Sequence, residues 1–286
     1  MSNIRTLVRG IYNIQKLRVQ MGNRLVGNFK VKLGQAPSEP EGSLDKQDEA
    51  FLARLRKDFL KITDGVLTLP TRKKFKSEGV IDNYTELCLV SSYINLAEEE
   101  QNQFKYLGKV LSDFPIWIEF LKSVKGVGPA MAGVLLSEID ISKAKYPSSL
   151  FKLAGIDVAE DGKGRSRRKE HQVDVEYTDK DGKTAIKKGI TFNPFLKTKL
   201  CGVLGGAFLK AGEKDNPYRE AYYDYKNRLE NHPNHSLKSK GHRHNMANRY
   251  IIKLFLIDLH MKWRELEGLP VSVPYHEAKL GLKHAS

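Results

Sequence analysis

Apolar side chains recur at steps of three and four along the first 111 residues, the period of one helix face, and this rhythm restricts that part of the chain to helical packing. Leu7, Ile11, Ile14, Leu17, Met21 and Leu25 mark one stripe, which predicts an amphipathic helix from about Asn3 to Phe29. The helix is basic, because residues 1–33 hold Arg5, Arg9, Lys16, Arg18, Arg24, Lys30 and Lys32 and no acid. Its polar side is either a solvated bundle surface or a direct contact to nucleic acid. Pro37, Pro40 and Gly42 make the stretch from Gly34 to Leu44 a linker. A second stripe, Phe51, Leu52, Leu55, Phe59 and Ile62, predicts a helix from about Leu44 to Thr63. Leu69-Pro70-Thr71 then breaks the chain before the basic run Arg72, Lys73, Lys74 and Lys76. The third stripe, Leu87, Val90, Tyr93, Ile94, Ala97, Gln101, Phe104, Leu107 and Leu111, runs close to heptad spacing from about Asn83 and lapses at Gln101. The second and third helices are expected to form an antiparallel hairpin, or a coiled coil that dimerises. Glu98, Glu99 and Glu100 are contiguous, so they point to different faces and suit a solvated surface.

From Pro115 the elements shorten. Pro115 to Val124 and Pro129 to Ile139 read as two short apolar helices. Val173, Val175 and Tyr177 alternate with polar residues, Asp181-Gly182 gives a turn, and Ile186 to Phe192 returns, so one β-hairpin is expected. Asn193-Pro194 and Asn216-Pro217 each place a capping side chain before a proline, so helices should start there and run to about Ala211 and Glu230. A last helix spans about His244 to Glu267. The fold class is mainly α. Residues 1–112 form a basic arm and helical hairpin, and residues 113–286 form a helix-hairpin-helix domain with one β-hairpin.

Charge narrows the partner. The chain of 286 residues carries 48 Lys and Arg against 34 Asp and Glu, a net charge of +14. Cations that neutralise phosphates release condensed counterions, so a polyanion is the expected partner. No run of about 18 apolar residues occurs, and Met1 to Gly22 has a basic residue every few positions, so neither a membrane span nor a secretory signal fits and a cytoplasmic protein is expected. Cys88 and Cys201 are too few and too far apart for a disulfide framework or a cysteine zinc site, and both are expected reduced and buried.

The sharpest local pattern is Val124-Lys125-Gly126-Val127-Gly128-Pro129-Ala130, followed by Met131 and Ala132. An apolar helix end, a Gly-apolar-Gly turn and a second apolar helix make a helix-hairpin-helix. The glycines let the turn approach a phosphate without a Cβ in the way. Pro129 sacrifices no donor at the first helical position, and the free amides behind it favour an anion. Such a turn contacts the backbone and not the bases. Lys125, Gly126, Val127 and Gly128 are therefore candidate DNA contacts.

The hairpin is followed by Ser149-Leu150-Phe151-Lys152-Leu153-Ala154-Gly155-Ile156, which resembles the Ala-Gly-Leu element of the insertion-sequence 110 transposases, relatives of the Piv and MooV invertases. Upstream, Gln15 to Arg24 resembles the start of that family's connecting coiled coil. Downstream, Asn193 to Lys197, Tyr218-Arg219, Gly241-His242-Arg243-His244 and Arg249-Tyr250 are similar to its C-terminal transposase domain. The resemblance implies a recombinase built from two parts. One is a ribonuclease-H-like domain whose acids bind metal, and this chain begins where that domain would end. The other is a serine nucleophile in a Ser-Gly-Lys element, and here the matching positions read Asp161-Gly162-Lys163. A carboxylate there is not equivalent chemistry. Ser166 lies close by and is the substitute nucleophile if the loop is offset, so Ser166 and Asp161 are the catalytic candidates. Lys163, Arg165, Arg167, Arg168 and Lys169 read more simply as a basic loop that contacts phosphate.

His232, His235, His242 and His244 cluster in a lysine-rich stretch. That charge would repel a metal cation, so His242, Arg243 and His244 are taken as phosphate contacts and no metal site is expected. Tyr222, Tyr223 and Tyr225 are read as core rather than base-stacking platforms. The expected function is DNA binding in a transposition or site-specific recombination system, without catalysis by this chain alone. The partner is duplex DNA, with structured RNA the alternative, and a homodimer is expected through the striped helices. No cofactor is evident, and Mg²⁺ enters only with a separately supplied nuclease subunit. An active recombinase completed by that subunit, and an oligomeric nucleoid-type scaffold, are the rival readings.

Overall fold

The three stripes become three helices, α1 over Ser2–Lys32, α2 over Lys46–Thr63 and α3 over Tyr84–Leu111. The structure is a computed structural model that describes residues 2–39, 45–63, 72–76, 81–212, 214 and 216–272. Pro40, Gly42, Leu44, the Leu69-Pro70-Thr71 break and the side chains of Phe59 and Ile62 lie outside the described residues. The chain divides into two compact units, residues 6–106 and residues 1–5 with 107–286.

In the first unit α3 lies antiparallel to α1. The Tyr12 and Phe104 rings meet edge-on at 6.5 Å, Arg18 Nε reaches Glu100 at 2.5 Å, and Lys32 Nζ reaches Glu86 at 2.6 Å. Leu52 and Leu55 of α2 join Leu25, Phe29, Ile81, Leu87 and Val90 in one apolar cluster. The hairpin expected of α2 and α3 is thus a three-helix packing, because the apolar stripe of α1 needs the same cover. Glu100 corrects the expectation of a solvated acid run. Glu98 and Glu99 are exposed, but Glu100 is buried and accepts from Gln15 as well as Arg18. Asn83 caps α3 by accepting the Glu86 N–H, and the Glu86 carboxylate reaches back past the cap to accept the Asp82 N–H.

The second unit is built round α10 (Lys240–Leu266), the last in a series that begins with a π-helical segment Trp117–Leu121, α4 (Pro129–Glu138) and α5 (Pro147–Ala154). A 3-10 turn Lys169–His171 then leads into β1 (Gln172–Thr178) and β2 (Thr184–Ile190). α6 (Pro194–Lys197), a second π-helical segment Thr198–Leu204 and α7 (Gly205–Lys210) form one continuous helical stretch, followed by α8 (Pro217–Asn231) and α9 (Pro233–Ser236). The capping prolines work as expected. Asn193 Oδ1 accepts from the Phe195 and Leu196 amides at 3.0 Å, and Asn216 Oδ1 accepts from Arg219. Ile251, Ile252, Phe255, Leu256, Leu259 and Trp263 are all buried on α10. Phe208 stacks on Tyr218 at 4.7 Å, and both rings meet Phe255 edge-on.

The helix from Pro194 departs from the plain α-helix that was expected. Asn248 donates to the Cys201 carbonyl at 2.8 Å inside the π-helical segment, and a Cβ on Gly205 would fall 1.7 Å from Asn248 Oδ1. The looser winding and the glycine together admit that side chain. The hairpin pairs Gln172 with Ile190 through Thr178 with Thr184, and Val173, Val175, Tyr177 and Ile186 on it are exposed. Cys88 and Cys201 are free thiols, half-buried rather than buried. Among the described residues no helix is long and apolar enough to cross a membrane.

Candidate nucleic-acid interface

The chain returns on itself after α5 because Gly155 takes φ +63 and closes the helix, its N–H bonding to Lys152 and that of Ile156 to Phe151. The loop that follows is pinned by a single β-bridge between Val158 and Gly164. This loop forms one wall of a cleft of 850 Å³. The opposite wall comes from the start of α10 and the turn before it. Lys163, Arg168 and Ser166 line it from the loop, with Lys238, His242, Arg249 and Lys253 across from them and Tyr225 and Tyr250 between. The two tyrosine rings stack at 4.2 Å with an interplanar angle of 12°. Two stretches singled out separately in the sequence, 163–168 and the His242 region, therefore face one space.

The cations in and beside this cleft differ in whether an internal partner already holds them. Arg165 is held: its Nε lies 2.9 Å from both oxygens of Asp157, and its Nη1 reaches Thr191. Arg243 is held too, by the carbonyls of Ser236 and Lys238 and by Glu230 at 4.0 Å. His244 lies 2.6 Å from the Tyr222 hydroxyl. Lys197 donates to the Arg165 carbonyl at 2.6 Å and sits over the Phe192 ring. Among the described residues Arg249, by contrast, bonds to no acid. It lies against Gly164, where a Cβ would come within 1.9 Å of its Nη1. Lys253 rests over the Phe151 ring without a carboxylate bond. Burial is the main cause that lowers the pKa of both Lys197 and Lys253; the Arg249 charge adds to it at both, and at Lys253 the Asp157 carboxylate opposes it. A buried cation of this kind is one that a bound anion would stabilise.

The loop also places three chemically complementary side chains in contact. The Ser166 backbone N–H donates to His171 Nδ1 at 2.9 Å, and Ser166 Oγ lies 3.1 Å from the same nitrogen. His171 Nε2 lies 3.2 Å from Asp161 Oδ2, close enough for an ion pair but off the line of a hydrogen bond. Arg168 Nε donates to Ser166 Oγ at 3.0 Å. The Lys163 N–H, donating to Asp161 Oδ1 at 2.9 Å, is the main reason the Asp161 carboxyl has a lowered pKa.

The remaining predicted contacts lie elsewhere. Arg167 and Lys169 are exposed, but neither lines the cleft. Lys125, Gly126, Val127 and Gly128 form the turn between the Trp117–Leu121 segment and α4. Gly126 has φ +91, and a Cβ there would press at 3.1 Å on the backbone of Ala207 and Phe208, so its glycine serves packing against α7. Val127 is buried, Gly128 is exposed, and the Lys125 ammonium bonds to the Lys214 carbonyl. His171 and Lys253 were missed by the sequence reading, and Arg249-Tyr250 entered it only through the family resemblance, without a place in the site. A signal for three of them existed, since His242, Met246, Arg249, Tyr250 and Lys253 recur at three- and four-residue steps along one face of α10.

Residues 118–177 match the model of the transposase IS116/IS110/IS902 family. That segment carries the Gly126–Gly128 turn, α4, α5 and the whole Asp161–His171 loop. The similarity to insertion-sequence 110 transposases is thereby supported, and with it a role related to transposition. No curated protein and no solved structure matches the chain.

Proposed function

We propose that this chain acts in transposition by holding the phosphate backbone of duplex DNA in the cleft between the 158–168 loop and α10. The observation that carries this reading is the pair Arg249 and Lys253. They face the cleft beside Lys163, Arg168, Lys238 and His242, while Asp157, the carboxylate whose charge acts on Lys253, is paired with Arg165. Binding of this kind reads charge spacing and not sequence. In the Lys125–Gly128 turn the part left open for a further backbone contact is the exposed Gly128 at the start of α4. Salt-titrated binding to duplex DNA, single strands and structured RNA tests the reading. Arg249→Ala with Lys253→Ala should lower the slope of log affinity against log salt by about two on duplex DNA. An unchanged slope refutes the cleft, and a stronger preference for structured RNA replaces the partner.

A second reading, an active recombinase completed by a nuclease subunit, is favoured by one observation. Ser166 is on the cleft wall with its hydroxyl within hydrogen-bond reach of an imidazole. A serine so placed suits attack on a bound phosphodiester. A covalent adduct with nicked duplex DNA that vanishes in Ser166→Ala would carry this reading, and its absence in the presence of the metal and the nuclease subunit would refute it.

A further inference from the structure

We propose that His171, with Asp161 beside it, is the base that draws the proton from Ser166, and that Arg168 steadies the resulting oxygen. The inference rests on the second reading above and assigns roles to three residues beyond the serine. The tautomer follows from the hydrogen bonds. A backbone N–H donates only to a ring nitrogen that carries a lone pair, so the Ser166 N–H at 2.9 Å makes His171 Nδ1 the acceptor and leaves the ring proton on Nε2. Nε2 then faces Asp161 Oδ2 at 3.2 Å. Ser166 Oγ lies 3.1 Å from the same nitrogen, so the hydroxyl competes with the backbone N–H for its one lone pair and takes it over when that N–H turns away. Arg168 donates to that oxygen from Nε at 3.0 Å and from its backbone N–H at 3.3 Å. The serine oxygen thus has a proton acceptor on one side and a cation on the other.

Burial keeps the arrangement in place. His171 is 4 % exposed, at the end of the 3-10 turn Lys169–His171, and it cannot turn away to solvent without opening the loop. Asp161 stays ionised at neutral pH, because the Lys163 N–H bond lowers its carboxyl pKa. The charge that appears on His171 therefore meets a carboxylate. The step balances without a co-reactant. The Ser166 O–H proton passes to His171 Nδ1 as Oγ bonds to phosphorus, the bond from phosphorus to the leaving sugar oxygen breaks, and that oxygen takes the proton back from His171. Among the described residues the polar side chains in contact with the imidazole are Asp161 and Ser166, with Arg168 beyond the serine oxygen.

A biotinylated alkyl fluorophosphonate tests this on the full chain without DNA, since it phosphonylates an activated serine and releases fluoride. Peptide mapping should locate the label on Ser166. His171→Gln should slow labelling by about 10²-fold or more, the usual worth of a general base. Asp161→Asn should slow it less. Added imidazole should restore labelling to His171→Gly, which a merely structural role for the ring would not allow. Long-range ¹⁵N correlation of the ¹⁵N-enriched wild-type chain, before any phosphonate is added, should find His171 protonated on Nε2 alone, an outcome independent of whether any variant folds. Labelling of Ser166 at an undiminished rate in a folded His171→Gln variant overturns the base and leaves the serine reading standing. Protonation of Nδ1 also overturns the base. No label on Ser166 in the wild-type chain overturns both.

Discussion

Replacing Gly155 with alanine should destabilise the second unit more than any other exchange of a single glycine outside its packed helices, and the cost can be built from two parts. The residue sits at φ +63 and ψ +32, a left-handed conformation that an alanine adopts at a cost of about 1 kcal/mol. Its added Cβ would also fall 2.5 Å from Cγ and 2.6 Å from Cδ2 of Phe192, a ring that is only 7 % exposed. Displacing a packed ring costs a further 1–3 kcal/mol or about that. The sum is about 2–4 kcal/mol, or roughly 4–16 °C in Tm for a unit of this size. Urea unfolding followed by tryptophan fluorescence reads this unit alone, because Trp117 and Trp263 are the chain's two tryptophans and both lie in it. Two controls separate the parts. Gly212→Ala, at φ +87 with open space around it, should cost about 1 kcal/mol, and Gly128→Ala, at φ −103 and also open, should cost within about 0.5 kcal/mol of nothing. A Gly155→Ala variant no less stable than Gly212→Ala would refute the packing argument.

Two further outcomes follow from charge and packing. Burial lowers the pKa of Lys253 on the cleft wall, and a bound phosphate would raise it again, so DNA binding should take up a proton where that lysine titrates. Affinity should then fall as pH rises through the lowered Lys253 value, before the 10.5 of an ordinary lysine, while the free protein gains stability over the same window because the unfolded chain binds the more protons there. Fluorescence anisotropy across that range checks it, and a flat profile up to 10.5 would count against Lys253 as a contact. The proposed homodimer through α2 and α3 has less apolar surface to use than the stripes promised, since Leu87, Val90, Leu52 and Leu55 are already covered within the chain. Sedimentation velocity should still show a dimer, and a monomer at micromolar protein would remove it.

Glu100 and Gly126 illustrate how far local patterns reached. The contiguous glutamates were correctly spread over different helix faces, yet which face was buried depended on Arg18 and Gln15 arriving from a helix about 80 residues away. Gly126 was read as making room for a phosphate, whereas the space it makes is filled by the backbone of α7. A positive φ and the need for a missing Cβ are legible in sequence, but the identity of the neighbour is not.

The sequence by itself determined the elements. Helical and two-residue periods, the Asn-Pro caps and the Gly155 stop are local, since each is set by steric and hydrogen-bonding preferences within a few residues. The proximity of Asp161, Ser166 and His171 is half local, because all three sit within eleven residues, but their mutual orientation needs the Val158–Gly164 bridge and the burial of the imidazole. Only the tertiary structure decided which cations remain available. Arg165, Arg243, Arg249 and Lys253 are alike in composition, yet Asp157 and the Ser236 carbonyl hold the first two while the last two face the cleft with no acid bound. The reason is physical: a charge is free or spent according to what lies within a few ångströms of it, and while Arg165 and Arg243 meet their holders eight and seven residues away in the chain, the cleft that Arg249 and Lys253 face is closed by a loop some 80 residues earlier.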